Sequence, residues 1–137
     1  MEQKINITDF AYLAGLIDAD GCVTYKQRMK KRGDKKAYLT WDIRIEINMT
    51  HKAVIQWVHE TLKVGTFGKK PPGKGQLGRK MQYRWRCGFR DALCVAKLIW
   101  PYAQVKLHKI EQIIDHYNPE VGNENVVSLE SYRNEKR

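Results

Sequence analysis

Apolar and polar positions alternate between residues 38 and 49. Ile43, Ile45, Ile47 and Met49 fall on one face, and Asp42, Arg44, Glu46 and Asn48 on the other. A period of two marks a strand with one buried and one exposed face. Residues 79–89 repeat the pattern, with Met81, Tyr83, Trp85 and Cys87 against Lys80, Gln82, Arg84 and Arg86. Strand-like sequence also covers residues 22–28, and a further strand begins at Gly65. Helical spacing appears in Phe10, Leu13 and Ile17, in Val54, Ile55, Val58 and Leu62, and in Leu107, Ile110, Ile114 and Tyr117. Thr8, Thr50 and Asp91 are the expected N-caps. Gly21, Pro101 and Asn118-Pro119 are the expected stops. The Pro/Gly-rich stretch 71–78 joins the third and fourth strands. Its Gly73-Lys74-Gly75 lacks the spacing of a phosphate-binding loop and reads as a hairpin turn.

The order is helix, strand, strand, twice over, then two helices. It is a weak structural repeat with no sequence repeat behind it. Four antiparallel strands with helices on one face make an α+β domain, and the other sheet face is left to solvent or a partner. Residues 1–117 form the expected domain, with 118–137 as its polar C-terminal tail.

Charge changes the picture. The 137 residues carry 25 Lys and Arg against 15 Asp and Glu, a net +10. Fifteen of those positives lie in residues 26–36 and 69–90, and Asp34 is the one acid among them. A basic surface on strands and hairpin tips suits a polyanion, nucleic acid first and an anionic membrane surface second. The plainer alternative is a solvated face that keeps the protein soluble. A β-surface can enter a major groove, where Arg44, Arg84 and Arg86 could reach guanine and Glu46 could accept from cytosine. The cleanest apolar run, residues 10–17, is far shorter than the roughly 20 residues of a membrane span. Glu2 and Asp9 spoil a basic secretory leader, and Asp18 and Asp20 follow the run at once. Cys22, Cys87 and Cys94 form no C-x-x-C pair, which suggests reduced thiols inside a cell. His51, His59, His108 and His116 have no metal-ligand spacing with them. Trp41, Trp57, Trp85 and Trp100 read as core.

The first helix is unusual. Ala11, Gly15 and Ala19 are spaced by four and line one stripe, apart from the apolar stripe of Phe10, Leu13 and Ile17. Small residues let two helix backbones approach closely. Gly15 costs about 1 kcal/mol relative to Ala in a helix interior, which close packing would offset. A second packing face needs a second helix, and a symmetric partner is the simplest source. The helix ends in Asp18 and Asp20, where the macrodipole is already negative. A divalent cation such as Mg²⁺ would compensate. Two copies of Asp20 beside a symmetry axis, on a basic face, suggest metal-assisted phosphodiester hydrolysis. For an isolated D-x-D at a helix end, a surface turn with Asx hydrogen bonds is the ordinary alternative.

Residues 13–21 read Leu-Ala-Gly-Leu-Ile-Asp-Ala-Asp-Gly. This stretch resembles the motif that names the LAGLIDADG homing endonucleases. A chance match over nine positions is on the order of 10⁻¹² per window. The single motif, the chain length and the element order are similar to the single-motif branch, over roughly residues 7–117. The resemblance implies an αββαββα homing-endonuclease fold, with a four-stranded antiparallel DNA-binding sheet and helices on the opposite face. It implies a homodimer that cuts a long, near-palindromic double-stranded DNA site, leaving 3′ overhangs.

By the same resemblance, the motif helices pack at the dimer axis through Ala11, Gly15, Asp18 and Ala19, with Asp18 structural and able to cap. Asp20 is the metal ligand, shared between subunits, and the carbonyl of Ala19 adds to it. Mg²⁺ is the expected ion, Mn²⁺ a substitute, and no small-molecule cofactor or membrane partner is implied. Lys106, after Pro101-Tyr102, would order the attacking water and stabilise charge; a surface lysine beginning a helix is the alternative. Asn48 or Met49 fills the third polar position, with Asn48 having the right chemistry and parity. Strand parity gives Thr24, Lys26, Arg28, Arg44, Glu46, Lys70, Arg84 and Arg86 as DNA contacts, many of them to phosphate. A non-cleaving relative, such as an intron RNA maturase, is the alternative function. An organelle or a bacterial or phage cytoplasm is the expected setting.

Overall fold

The computed structural model describes residues 6–71 and 80–118. Helix α1 (Ile7–Asp20) leads into strands β1 (Gly21–Lys30) and β2 (Tyr38–Met49). Helix α2 (Lys52–Leu62) then leads into β3 (Thr66–Lys70) and β4 (Gln82–Gly88). Helices α3 (Phe89–Ile99) and α4 (Leu107–His116) close the order. The strands form one antiparallel sheet in the order β1-β2-β4-β3. Among the described residues, no helix is long and apolar enough to cross a membrane.

The alternation in the sequence becomes the two faces of this sheet. Val23, Ile45 and Cys87 align in one row across β1, β2 and β4, and Ile47, Trp85 and Phe67 in another across β2, β4 and β3. These side chains meet Leu13, Ala14 and Ile17 of α1, Ile55 and Val58 of α2, Ala92, Val95, Ala96 and Ile99 of α3, and Ile110, Ile113 and Ile114 of α4. All four helices thus cover one face. Trp85 and Trp100 are buried, and Trp41 and Trp57 pack against the core from its edge. The Trp85 indole donates to the Val64 carbonyl at 2.9 Å, so the largest core side chain leaves no polar atom stranded.

The helix starts differ from the expected caps. Asn6, not Thr8, caps α1, its side chain accepting from the Thr8 N–H at 3.1 Å. His51, not Thr50, caps α2, with Nδ1 accepting from the Val54 N–H at 3.4 Å. Gly88 precedes α3, and Asp91 sits in its first turn. Neighbouring polar residues compete for a cap, and the chain's approach angle decides among them. The residues from Pro72 to Arg79 and from Pro119 to the end lie outside the described structure, and with them the 73–75 turn, Lys74, Arg79 and nearly all of the polar tail.

Two glycines have a local cause. At Gly21 an added Cβ would stand 2.7 Å from both Cα and O of Ile17, as the chain leaves α1 and turns directly into β1. Gly65 has φ +85°, and a Cβ there would meet the Arg86 carbonyl oxygen at 2.6 Å.

Candidate nucleic-acid interface and catalytic centre

The face of the sheet opposite the helices carries the charged set. In register, Cys22, Glu46, Arg86 and Thr66 form one row across all four strands. Asn48, Arg84 and Gly68 form the next, and Thr24 and Arg44 lie on the other side with Gly88. Lys26 stands opposite Asp42, Arg28 opposite Thr40, and Lys70 opposite Gln82. Pairing parity therefore brings Thr24, Lys26, Arg28, Arg44, Glu46, Lys70, Arg84 and Arg86 onto one open face. Lys26, Arg28, Lys70 and Arg86 are exposed, and Thr24, Arg44, Glu46 and Arg84 are half-buried. The acids on this face are paired. Glu46 lies 3.8 Å from Arg84, and Asp42 lies 3.6 Å from Arg28 and 3.8 Å from Arg44. Parity alone puts Asp42 on this face, and its partners follow only from the strand register.

The chain puts the candidate catalytic residues at one end of this face. Asp20 is the last residue of α1 and is exposed. Gly21 follows it and pairs with Ile47, so Asp20 sits where β2 reaches Asn48. Asn48 is on the open face, with its Oδ1 buried and unpartnered among the described residues. Met49 packs against the core instead. Lys106 is tied to the same helix end through Asp18: Oδ1 of Asp18 accepts from the Lys106 N–H at 2.9 Å, and Oδ2 accepts from the Gln104 N–H at 2.7 Å. Asp18 thus ties the segment leading into α4 to the end of α1, and both of its carboxylate oxygens accept from backbone N–H groups of the chain.

That commitment bears on metal binding. Asp20 faces the negative end of α1, and the last turn of α1 holds no basic residue. Hard cations take carboxylate and carbonyl oxygens, so Asp20 and the Ala19 carbonyl have the right chemistry. Among the described residues, no group of three or more His, Cys, Asp or Glu stands close enough to hold a metal ion. Among the described residues, Asp18 is committed to backbone N–H groups and Asp20 is the other carboxylate at this helix end, so one chain alone does not complete a donor set.

Helix α1 has the two faces expected of it. Leu13, Ala14 and Ile17 are buried, while Ala11, Gly15 and Ala19 are exposed alongside Ile7 and Tyr12. A Cβ built at Gly15 meets nothing within 4 Å among the described residues, so their packing does not require glycine there.

The arrangement is the homing-endonuclease fold. The structure superposes on the homing endonuclease I-CvuI, solved in complex with the I-CreI target in the presence of Mg, with a TM-score of 0.64 and 19% identity, over 95% of this chain and 82% of that one. The archaeal intron-encoded homing endonuclease I-Vdi141I, complexed with DNA, gives 0.58 and 19%, over 95% and 84%. The meganuclease I-SmaMI, bound to DNA, gives 0.58 and 18%, over 92% of this chain but 45% of that one. No protein-family model and no curated protein matches the chain in sequence.

Proposed function

We propose that this chain is a LAGLIDADG homing endonuclease that acts as a homodimer on double-stranded DNA and cuts both strands with the aid of a divalent cation. The observation that carries the reading is the junction of α1 with the sheet. A helix spelling the nine-residue motif ends in an exposed carboxylate, Asp20, at the margin of an open face lined with arginine and lysine. The similar structures hold DNA, which supports DNA as the ligand of that face.

Dimerisation follows from α1. Two copies packed along Ala11, Gly15 and Ala19 bring their helix ends, and both Asp20 carboxylates, to one axis. I-SmaMI is roughly twice as long as this chain, which agrees with a complete site needing two such units. Asp20 from each copy, with the Ala19 carbonyls, would hold the cation. When bound, the ion neutralises charge on the attacked phosphate and lowers the pKa of water. Lys106 places positive charge beside that phosphate and helps orient the attacking water. The Asn48 amide offers that water an acceptor. The open faces of the two copies lie along flanking major grooves, with Lys26, Lys70 and the arginines dividing between phosphates and base edges.

Exposure of a randomised plasmid library to the protein in Mg²⁺, with Asp20→Asn as control, tests this reading. It expects one near-palindromic site, cut by the wild type and spared by the variant. Specific binding without a cut, in Mg²⁺ or Mn²⁺, would instead describe a binding relative such as an intron maturase.

A further inference from the structure

The open face contains acids that a phosphate-tracking surface would do better without. Asp42 lies in β2, which is flanked by β1 and β4, and its side chain is only 14% exposed. Two cations lie within ion-pair distance of it, and a third stands opposite in register. Lys26 is directly opposite on β1, Nη1 of Arg28 is 3.6 Å from Oδ2, and Nη2 of Arg44, two residues along β2, is 3.8 Å from the same oxygen. The guanidinium groups of Arg28 and Arg44 therefore converge on one carboxylate oxygen, from two strands, within about two base steps of each other.

Arg44 needs such a restraint. Its register partner on β4 is Gly88, which offers no side chain to pack against. An open hollow of about 340 Å³ lies there, lined by Asp42, Arg44, Thr66, Arg86, Gly88 and Phe89 among others. The Nε of Arg44 is buried with no hydrogen-bond partner among the described residues. Without Asp42, the Arg44 head would be free to swing across this hollow toward any nearby phosphate.

We propose that Asp42 is a specificity-determining positioning residue. It holds Arg28 and Arg44 as fixed forks for guanine in adjacent or next-adjacent base pairs of each half-site, and its charge disfavours their use as phosphate clamps. The inference rests on the DNA-binding reading above. The physical basis is that an arginine reads guanine through two parallel hydrogen bonds, which demand a fixed plane, whereas a phosphate accepts many approaches. A carboxylate beside the groove also weakens binding to every sequence alike. Its removal should thus raise non-specific affinity while lowering discrimination.

The test is selection of bound duplexes from a randomised library by wild type, Asp42→Asn and Arg44→Lys, with binding then measured on the selected site and on an unrelated duplex. Asp42→Asn keeps the shape, and thermal melting confirms folding of each variant. The expected result is a wild-type site with one or two guanines per half-site that Asp42→Asn no longer enriches. The ratio of specific to non-specific affinity should fall roughly tenfold, with non-specific binding equal or tighter. Arg44→Lys, which keeps the charge but not the fork, should lose a guanine at one of the same positions. An unchanged base profile in Asp42→Asn, or equal weakening on all sequences, overturns the role of Asp42 and leaves DNA recognition standing. A wild type that selects no sequence overturns both.

Discussion

The carboxylate of Asp18 holds the backbone of Lys106 at 2.9 Å, and that of Gln104 at 2.7 Å, across more than eighty residues of chain. One end of α1 is thereby fixed to the start of α4. The motif helix presents Asp20 while setting where Lys106 begins its own helix. Two backbone N–H groups just before α4 thus converge on one carboxylate, and carboxylate acceptors make the stronger class of hydrogen bond.

Asp18→Ala should therefore cost about 1.5–3 kcal/mol. Thermal melting reads this as a drop of several degrees. Cleavage should fall more than stability alone explains, because Lys106 loses its anchor. A melting curve identical to that of the wild type contradicts the account.

Gly15 separates folding from assembly. An added Cβ meets nothing among the described residues, and alanine is favoured over glycine in a helix by about 1 kcal/mol. Gly15→Leu should leave the folded protomer at least as stable, yet shift sedimentation from dimer to monomer and abolish cleavage. A leucine variant that remains dimeric would place the interface elsewhere.

Gly21 behaves oppositely. Its Cβ would collide with backbone atoms of Ile17, which cannot move without unwinding the helix end. Gly21→Ala should destabilise the protomer by about 1–3 kcal/mol, measured by denaturant unfolding. A neutral effect would show that the turn from α1 into β1 is looser than described.

The sheet pattern was legible because a period of two in 38–49 and 79–89 leaves little choice of face. The observed β2 matches the expected bounds, and Ile43, Ile45, Ile47, Trp85 and Cys87 are buried as their parity required. The motif gave Asp20. Less legible were features that depend on register or on distant contact. Asp42 gains meaning when β1 aligns Lys26 and Arg28 beside it. Asp18 gains it when α4 arrives from the far end of the chain. The caps at Asn6 and His51 were missed because Thr8 and Thr50 carry equally suitable side chains within two residues.

Burial pushes the Cys87 thiol up to about 12, with Asp91 adding to the effect. Cys22 and Cys94 are exposed. Alkylation of the native protein at pH 8 should label these two quickly and Cys87 only after unfolding. The thiol's folded value lies above its unfolded one, so unfolding releases a proton in between. Stability should then decline as pH rises from about 9 toward 12. Rapid labelling of all three thiols in the native state contradicts this burial.

In the proposed dimer each cut uses Asp20 from two copies of the chain. Wild type is co-expressed with Asp20→Asn at varied ratios, and total strand scission of the selected site, nicks and double-strand breaks counted together, is measured at fixed total protein. If the copies share the site, activity follows the square of the wild-type fraction, so equal amounts retain about a quarter. Retention of about half, falling in line with the wild-type fraction, would contradict the account, because each chain would then cut with its own carboxylate.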